Sequence, residues 1–212
     1  VITQFTLDVN TAAKDLLAEN GYALVRYFNR MITDLNSPPL APAWPGGIGV
    51  RTFNRSADLE TVLRADRESF SDHWGYILRP LEEDMEFWAH WIDNDPKFDA
   101  TLWFLAMDGD ETAGICLCRT MLEEDPDMGW INTLGVRRAW RRRGLGLALL
   151  QHAFGELYRR GRKRVGLGVD ADSLTGATRL YEKAGMRVQG RSCTFEKELR
   201  PGRELRTQHI EP

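Results

Sequence analysis

The stretch RRRGLGLALL, residues 141–150, combines three arginines and two glycines with the start of an apolar run at helical spacing. The first turn of a helix carries unpaired N–H groups and a partial positive charge, so it attracts anions. Glycines at that point let the backbone curve closely around a phosphate. The stretch therefore predicts an anion site at the beginning of a helix.

Three interpretations compete for this stretch: a nucleic-acid patch, a solvated charge run and a nest of amides for a phosphate. The lysine and hydroxyl of a P-loop are absent, and no acidic residue follows at the spacing of a dinucleotide fingerprint. The chain has a net charge of −3 and no broad basic face elsewhere, which disfavours nucleic acid. A small molecule that bears a pyrophosphate fits best, and we expect no nucleic-acid partner.

The composition is that of an ordinary globular protein, with 42% hydrophobic and 28% charged residues among 212. No window approaches ~18 consecutive apolar residues, and no signal peptide is evident, so we expect no membrane association and a cytoplasmic location. Cys116, Cys118 and Cys193 lack a CxxC spacing and are expected to be reduced, buried thiols. No metal site is predicted.

The elements that must position the stretch follow an α/β pattern. Residues 48–54 alternate like a strand, and Ser56 is the expected N-cap of a helix behind it. A second helix follows in MEFWAHWID, and an Asp-Gly-Asp turn marks a hairpin. We predict the order β-α-α-β-β-β-α-β-α-β over residues 48–200.

The first residues repeat the last part of this pattern. Residues 8–35 align with residues 172–199 without a gap. The aligned identities are Asp8, Thr11, Ala13, Leu16, Gly21 and Leu35 with Asp172, Thr175, Ala177, Leu180, Gly185 and Leu199. The first copy lacks the half that should precede it.

We interpret the chain as four segments. These are a C-terminal remnant of a first domain (residues 1–36), a Pro/Gly-rich linker (37–47), a complete domain (48–200) and a polar tail (201–212).

Two motifs carry a family resemblance. Residues 141–146 resemble the Arg/Gln-x-x-Gly-x-Gly/Ala signature of the GNAT N-acetyltransferase superfamily, and they follow a strand that ends in Val136. The run ATRLYEKAGM resembles the family's second hallmark, Ala-x-x-Leu-Tyr-x-x-x-Gly-Phe, with Met186 in place of phenylalanine. The resemblance spans about residues 48–199. It implies an α/β (α+β) GNAT fold, with a central mixed, twisted sheet that is splayed between two strands and flanked by helices.

The resemblance implies acetyl-CoA as the cofactor. Backbone amides of residues 142–147 would hold its pyrophosphate, and the strand at 134–136 would hydrogen-bond the pantetheine arm as a neighbouring strand would. Residues 174–179 would line the other side of the thioester. The implied cofactor-binding residues are Leu134, Gly135, Val136, Arg141, Arg142, Arg143, Gly144, Leu145, Gly146, Leu147, Leu174, Thr175, Gly176, Ala177 and Arg179.

Tyr181, in the second motif, is the implied general acid. A phenol with a pKa of about 10 can protonate a thiolate whose thiol has a pKa of about 8.5, provided that it is well placed. The alternative is a core tyrosine, because Tyr181 shares a helix face with Ala177 and Ala184. The first copy has Leu17 at this position, so we expect the second copy to be the active one.

The general base has several candidates. The strand GWINTLGV carries no titratable side chain, so the glutamate that the family often places there is absent. An attacking amine must still lose a proton to a carboxylate or a histidine. Glu123 and Glu124 in the preceding loop are the base candidates, with Asp125 and His73 as further ones.

The region between the first two strands of the domain commonly forms the acceptor wall in this family. The resemblance therefore implies Asp72, His73 and Trp74 as substrate contacts. The tryptophan is equally consistent with a core position.

The expected function is acetyl-CoA-dependent transfer of an acetyl group to a primary amine of a small molecule. The tandem organisation resembles the mycothiol synthase group, which acetylates the cysteine amine of a sugar-linked thiol precursor. The alternatives are a non-catalytic acyl-CoA-binding or regulatory module and a protein N-acetyltransferase. The sequence does not indicate the oligomeric state.

Overall fold

The computed structural model describes residues 1–173, 176–203 and 205–206. The chain divides into two compact units. The first unit contains Val1–Thr33 and the described part of Gly166–Glu204, and the second contains Asp34–Val165 with Leu205 and Arg206. Among the described residues, no helix has the length and apolar character needed to cross a membrane.

The second unit holds a four-stranded antiparallel sheet in the order β6-β5-β4-β3. Its strands are β3 (Ile48–Thr52), β4 (Trp103–Asp108), β5 (Glu111–Arg119) and β6 (Met128–Val136). Its helices are α2 (Leu59–Phe70), α3 (Leu81–Asn94) and α4 (Leu145–Arg159). The hairpin predicted at Asp-Gly-Asp joins β4 to β5 and is confirmed.

Helix α2 begins later than its sequence suggests. Ser56 was the expected N-cap, but the helix starts at Leu59 behind Asp58, and the Asp58 side chain makes no capping hydrogen bond. The Asp58 carboxylate instead accepts from the backbone N–H of Asn54 (2.7 Å) and pairs with Arg51 (2.6 Å). The N-cap prediction is therefore wrong, because the acidic residue two positions on is held by the strand before the helix.

The core of the second unit lies where α2 and α3 cover the sheet. Leu63 of α2 is fully buried with Leu105 and Ile115 of the sheet. Trp88 and Trp91 of α3 pack on Trp103, with ring centroids 5.7 and 6.0 Å apart. Burial of large aromatic side chains of this kind dominates core energetics, so these tryptophans hold α3 firmly against the strands.

Strand β6 is interrupted by a bulge. Leu117 of β5 pairs with Thr133 and Cys118 pairs with Ile131, so Asn132 is an extra residue on β6. A bulge leaves one residue outside the ladder and bends the strand locally. Cys116 and Cys118 are free and buried within β5, which confirms the predicted apolar thiols.

The first unit has the strand order β1-β8-β2-β7. Its strands are β1 (Ile2–Leu7), β2 (Ala23–Asp34, whose last residue belongs to the second unit), β7 (Arg164–Asp170, whose first two residues belong to the second unit) and β8 (Arg187–Lys197). Its helices are α1 (Thr11–Glu19) and α5 (Ala177–Lys183). The closing segment forms the single strand β8. The observed order from β3 to β8 matches the predicted order of ten elements.

The internal repeat has a structural counterpart in the first unit. A shift of 164 positions, as from Asp8 to Asp172, carries β2 onto β8. When each residue of β2 is exchanged for the residue of β8 that lies 164 positions later, the set of β2–β8 pairs is unchanged. The central pair, Phe28 with Ser192, is itself 164 positions apart. Val25 and Gln189 are both skipped in the register, and they too are 164 positions apart. The two copies thus share their irregularities, which supports the repeat, while the interpretation of residues 1–36 as a domain remnant stays a prediction.

Candidate active site

The Arg-Gly stretch forms a tight turn between β6 and α4. A short 3-10 helix (Arg138–Trp140) comes first, and the Trp140 indole donates a hydrogen bond from Nε1 to Asp108 Oδ2 (2.8 Å). Arg142 (φ 63°) and Gly144 (φ 85°) then adopt the left-handed conformation. Left-handed residues in such a turn direct successive N–H groups to one concave side, where anions bind.

Arg142 is strained by this conformation. It is the only non-glycine residue with positive φ among the residues that the structure describes. Such a residue costs of order 1 kcal/mol, and strained residues cluster at ligand sites. Gly144 has no atom within 4 Å of the position that a Cβ would occupy, so the space above the turn is open. We call the turn at residues 142–147 the cradle.

Arg137 holds the strand that enters the cradle. Its Nε donates to Glu68 Oε2 of α2 at 2.6 Å, and its Nη1 donates to the carbonyl of Thr112 at 3.0 Å. The guanidinium also lies 4.9 Å from the ring of Trp140. This arginine is therefore a structural link between α2, β5 and the cradle.

Arg138 and Arg141 bind the other end of the turn to α2. Arg141 donates to the carbonyls of Val136 (3.1 Å) and Ser69 (3.0 Å) and pairs with Asp72 Oδ2 at 3.3 Å. Arg138 Nη2 lies 3.6 Å from the same carboxylate oxygen. The side chain of Arg141, predicted to add charge at a pyrophosphate, is thus directed to α2.

Arg142 and Arg143 are different. Both are exposed, and neither forms an ion pair or hydrogen bond through its side chain within the described ranges. Two unpaired cations therefore stand beside the N–H groups of the cradle and the positive end of α4.

The predicted strand, residues 134–136, lies at the end of β6. A Cβ added to Gly135 would come within 2.9 Å of the Cβ and Oγ of Ser69, so only glycine lets α2 approach the strand this closely. Leu134 and Val136 are half-buried. Strand and cradle are consequently positioned by the same helix.

The second motif lies in the first unit. Leu174 and Thr175 fall outside the described residues. Gly176 adopts φ 69° and precedes α5, on which Ala177 is half-buried and Arg179 is exposed.

Tyr181 lies on α5 and is 8% exposed, so the residue is largely buried. Both a core role and a role as an acid are compatible with this burial. The assignment as general acid stays a prediction.

The predicted acceptor residues follow α2 directly. Asp72 Oδ2 is held by Arg141, while Oδ1 is buried and lies 4.0 Å from His73 Nε2. The His73 ring meets Phe70 edge to face at 4.7 Å, and the guanidinium of Arg206 lies 5.7 Å from the Trp74 ring.

The predicted bases Glu123 and Glu124 lie in the exposed loop between β5 and β6. Glu123 accepts a hydrogen bond from Lys97 at 2.9 Å, which lowers the pKa of the Glu123 carboxyl. Asp125 pairs with Arg164 at 2.8 Å. A lowered pKa makes the Glu123 carboxylate a weaker proton acceptor. The assignment of Glu123 and Glu124 as bases stays a prediction.

Three residues of α2 were missed by sequence reasoning: Asp66, Glu68 and Ser69. Glu68 and Asp72 are four residues apart and both pair with arginines near the cradle. Carboxylates near the end of a predicted helix, set against the arginine cluster, are the signal that could have revealed Glu68. Asp66 and Ser69 have no comparable signal in the sequence. No group of three or more His, Cys, Asp or Glu suited to a metal occurs within the described part of the chain.

The fold is found in solved structures. A GCN5-related N-acetyltransferase from Sphaerobacter thermophilus is 40% identical and superposes with a TM-score of 0.76, over 96% of this chain and 61% of that one. The predicted α/β GNAT fold is therefore confirmed.

Curated relatives agree with this assignment. Mycothiol acetyltransferase of Thermobispora bispora is 31% identical over 180 residues, which cover 82% of this chain and 58% of the relative. Mycothiol acetyltransferase of Thermomonospora curvata is 32% identical over 174 residues, covering 82% and 56%. The chain spans less than two thirds of the length of these relatives.

The sequence profile of the Acetyltransferase (GNAT) family matches residues 59–186, which include α2, β6, the cradle and Tyr181. GNAT acetyltransferases use acetyl-CoA. The chain belongs to the GNAT acetyltransferase family.

Proposed function

We propose that this protein transfers the acetyl group of acetyl-CoA to a primary amine of a small molecule. The observation that carries the proposal is the cradle: left-handed Arg142 and Gly144 precede α4, and two exposed arginines lie beside them without partners among the described residues. Amides at a helix start, with added positive charge, suit a pyrophosphate. Acetyl-CoA supplies a pyrophosphate at one end and a thioester at the other.

The chain's own residues have distinct proposed roles. The N–H groups of residues 142–147 hold the pyrophosphate, and Arg142 and Arg143 add charge. The peptide groups of residues 134–136 bind the amides of the pantetheine arm. Tyr181 gives a proton to the sulfur that leaves.

The acceptor is proposed from the relatives. Two mycothiol acetyltransferases match more than four fifths of this chain, so we propose the mycothiol precursor, with its cysteine amine, as the first acceptor to test. Asp72, His73 and Trp74 are the proposed acceptor contacts, because they lie between the first two strands of the second unit, where this family commonly forms its acceptor wall.

The test is product formation. The protein is incubated with acetyl-CoA and the mycothiol precursor, and the N-acetylated product is measured by mass spectrometry. A product that carries one added acetyl group on nitrogen, absent when acetyl-CoA is omitted, supports the proposal. Tight binding of acetyl-CoA with no product from this precursor or from a panel of primary amines would instead favour a non-catalytic acyl-CoA-binding module.

A further inference from the structure

The strand beside the cradle has no group that can accept a proton. None of the residues Met128–Val136 has a titratable side chain. An amine is mostly an ammonium ion at neutral pH and must lose a proton before it can attack a carbonyl carbon. If the proposed function is correct, the proton acceptor must come from outside β6, and the elements packed against β6 are the first to consider.

Helix α2 is packed against β6 and runs in the same direction. Three antiparallel pairings separate β3 from β6, so these two strands run in opposite directions, and α2 turns back from the end of β3. The last turn of α2 contacts the end of β6, since Ser69 covers Gly135. The pyrophosphate end of the cofactor site and the C-terminal end of α2 therefore coincide.

Asp66 lies one turn before Ser69 on the same face of α2. One helical turn rises about 5 Å and two strand residues span about 6.6 Å. Asp66 is thus level with Thr133, next to the bulge at Asn132. An arm that runs from the cradle along residues 136–134 would bring its thioester to this level.

Ser69 places a polar group on the same face of α2, and the hydrogen bonding of that group is incomplete. The residue is 4% exposed, and its Oγ is buried without a hydrogen-bond partner among the described residues. A buried hydroxyl without a partner is costly and is commonly retained for a ligand or an ordered water. It lies against Gly135, within the stretch proposed to bind the arm.

The Asp66 carboxylate has no compensating cation. Within the described ranges it has neither an ion pair nor a hydrogen bond, while Arg67 next to it pairs with Asp84 of α3 at 3.4 Å. Burial, and then the like charge of Asp84, raise the pKa of Asp66 to about 6. Tyr76, in the loop after α2, also lies within electrostatic reach of Asp66. A carboxylate in these surroundings takes up a proton far more readily than an exposed one.

We propose that Asp66 accepts the proton of the acceptor ammonium in this acetyl transfer. The ammonium gives one proton to the Asp66 carboxylate, and the nitrogen lone pair then forms the bond to the thioester carbon. The carbon–sulfur bond breaks, and its electron pair leaves with the sulfur, which receives a proton from Tyr181. The second nitrogen proton restores Tyr181, and Asp66 releases its proton to water.

The experiment compares pH profiles of kcat, with acetyl-CoA and the mycothiol precursor as substrates. The wild type should lose activity about tenfold per pH unit below a pH of about 6. Asp66→Asn should lower kcat by ~10²-fold or more and abolish this acid limb, with acetyl-CoA affinity retained. Asp84→Asn should shift the limb to lower pH, because a like charge is removed and Arg67 is released toward Asp66.

A control for correct folding of the variant uses the pH dependence of stability that follows from the raised pKa of Asp66. Asp66 has a raised pKa in the folded state, so its charge destabilises the protein at neutral pH and the penalty fades as pH falls from about 6 toward 4. Asp66→Asn should therefore raise the thermal midpoint at pH 7.5, and this gain should shrink toward pH 4.

Each outcome has one meaning. If the wild type is active and Asp66→Asn is equally active, the role of Asp66 is overturned and the proposed function stands. The same conclusion follows if Asp84→Asn does not move the acid limb of the pH profile. A wild type that binds acetyl-CoA without acetylating any amine overturns both.

Discussion

At the scale of single residues, three consecutive arginines divide into two kinds. Arg141 donates to the carbonyls of Val136 and Ser69 and is part of the scaffold. Arg142 and Arg143 are exposed and have no partners among the described residues. The sequence predicted an anion site here, but it could not separate these roles, because they depend on which way each side chain leaves a strained turn.

This division can be measured. Arg143→Gln should weaken acetyl-CoA binding roughly tenfold at low salt and less at high salt, since an exposed charge is screened. Arg141→Gln should mainly lower the thermal midpoint, because it leaves the Ser69 and Val136 carbonyls without this donor and removes one of the two arginines that pair with Asp72. Titration calorimetry and thermal unfolding of both variants distinguish the two effects. A greater loss of affinity in Arg141→Gln than in Arg143→Gln would reverse the assignment.

Tyr181 is the second residue whose role can be isolated. Tyr181→Phe removes only the hydroxyl from a side chain that is 8% exposed, so packing is largely kept. If the phenol is the acid, kcat should fall by ~10²-fold or more while acetyl-CoA affinity changes little. Steady-state kinetics and a binding titration on the same preparation provide the comparison. An unchanged kcat would make Tyr181 a core residue.

At the scale of elements, the pairing of α2 with β6 positions the site. Helix α2 supplies Glu68, and the turn after it supplies Asp72, to the arginines around the cradle, and α2 rests on Gly135. The apolar spacing of α2 was evident from the sequence, and its contact with β6 was not. That contact depends on a glycine in one element and a serine in another, which no local pattern connects.

The closeness of this contact predicts a stability effect. Gly135→Ala should destabilise the fold by about 1 to 3 kcal/mol, because the new methyl group would lie 2.9 Å from Ser69 Cβ and Oγ. Gly49→Ala is the matched control, since Gly49 is also a strand glycine and nothing lies within 4 Å of its Cβ position. Denaturant unfolding of both variants measures the difference. Equal effects would mean that α2 does not limit the space at Gly135.

The order of elements was predictable, whereas some of their ends were not. Periodicity and turn residues gave all ten elements from β3 to β8 in the correct order. The sequence does not predict the start of α2 correctly, because Asp58 binds Arg51 and the N–H of Asn54, which precede the helix, instead of capping the helix. The closing segment forms one strand, β8, and its bulge at Gln189 has no signal in the sequence.

At the scale of the whole molecule, the internal repeat is the principal feature. The alignment of residues 8–35 with residues 172–199 was visible in the sequence. The structure adds that the described residues of both copies, apart from Asp34 and Leu35, lie in one compact unit and that their strands share a register centred on Phe28 and Ser192. A sequence alignment indicates likeness between segments, but only the pairing shows that the two copies adjoin each other.

The family assignment also belongs to this scale, because it rests on residues 59–186 and not on a single motif. The function of the whole protein rests on the cradle holding acetyl-CoA. The most direct measurement is a calorimetric titration of the wild type, Gly144→Glu and Gly161→Glu with acetyl-CoA. Gly161 lies just after the other end of α4, has φ 76° and has no atom within 4 Å of its Cβ position, so its variant imposes a similar strain and charge away from the cradle.

We predict micromolar binding by the wild type and by Gly161→Glu, and no measurable binding by Gly144→Glu. Affinity that survives in Gly144→Glu, or that is lost equally in both variants, would contradict the placement of acetyl-CoA at the start of α4.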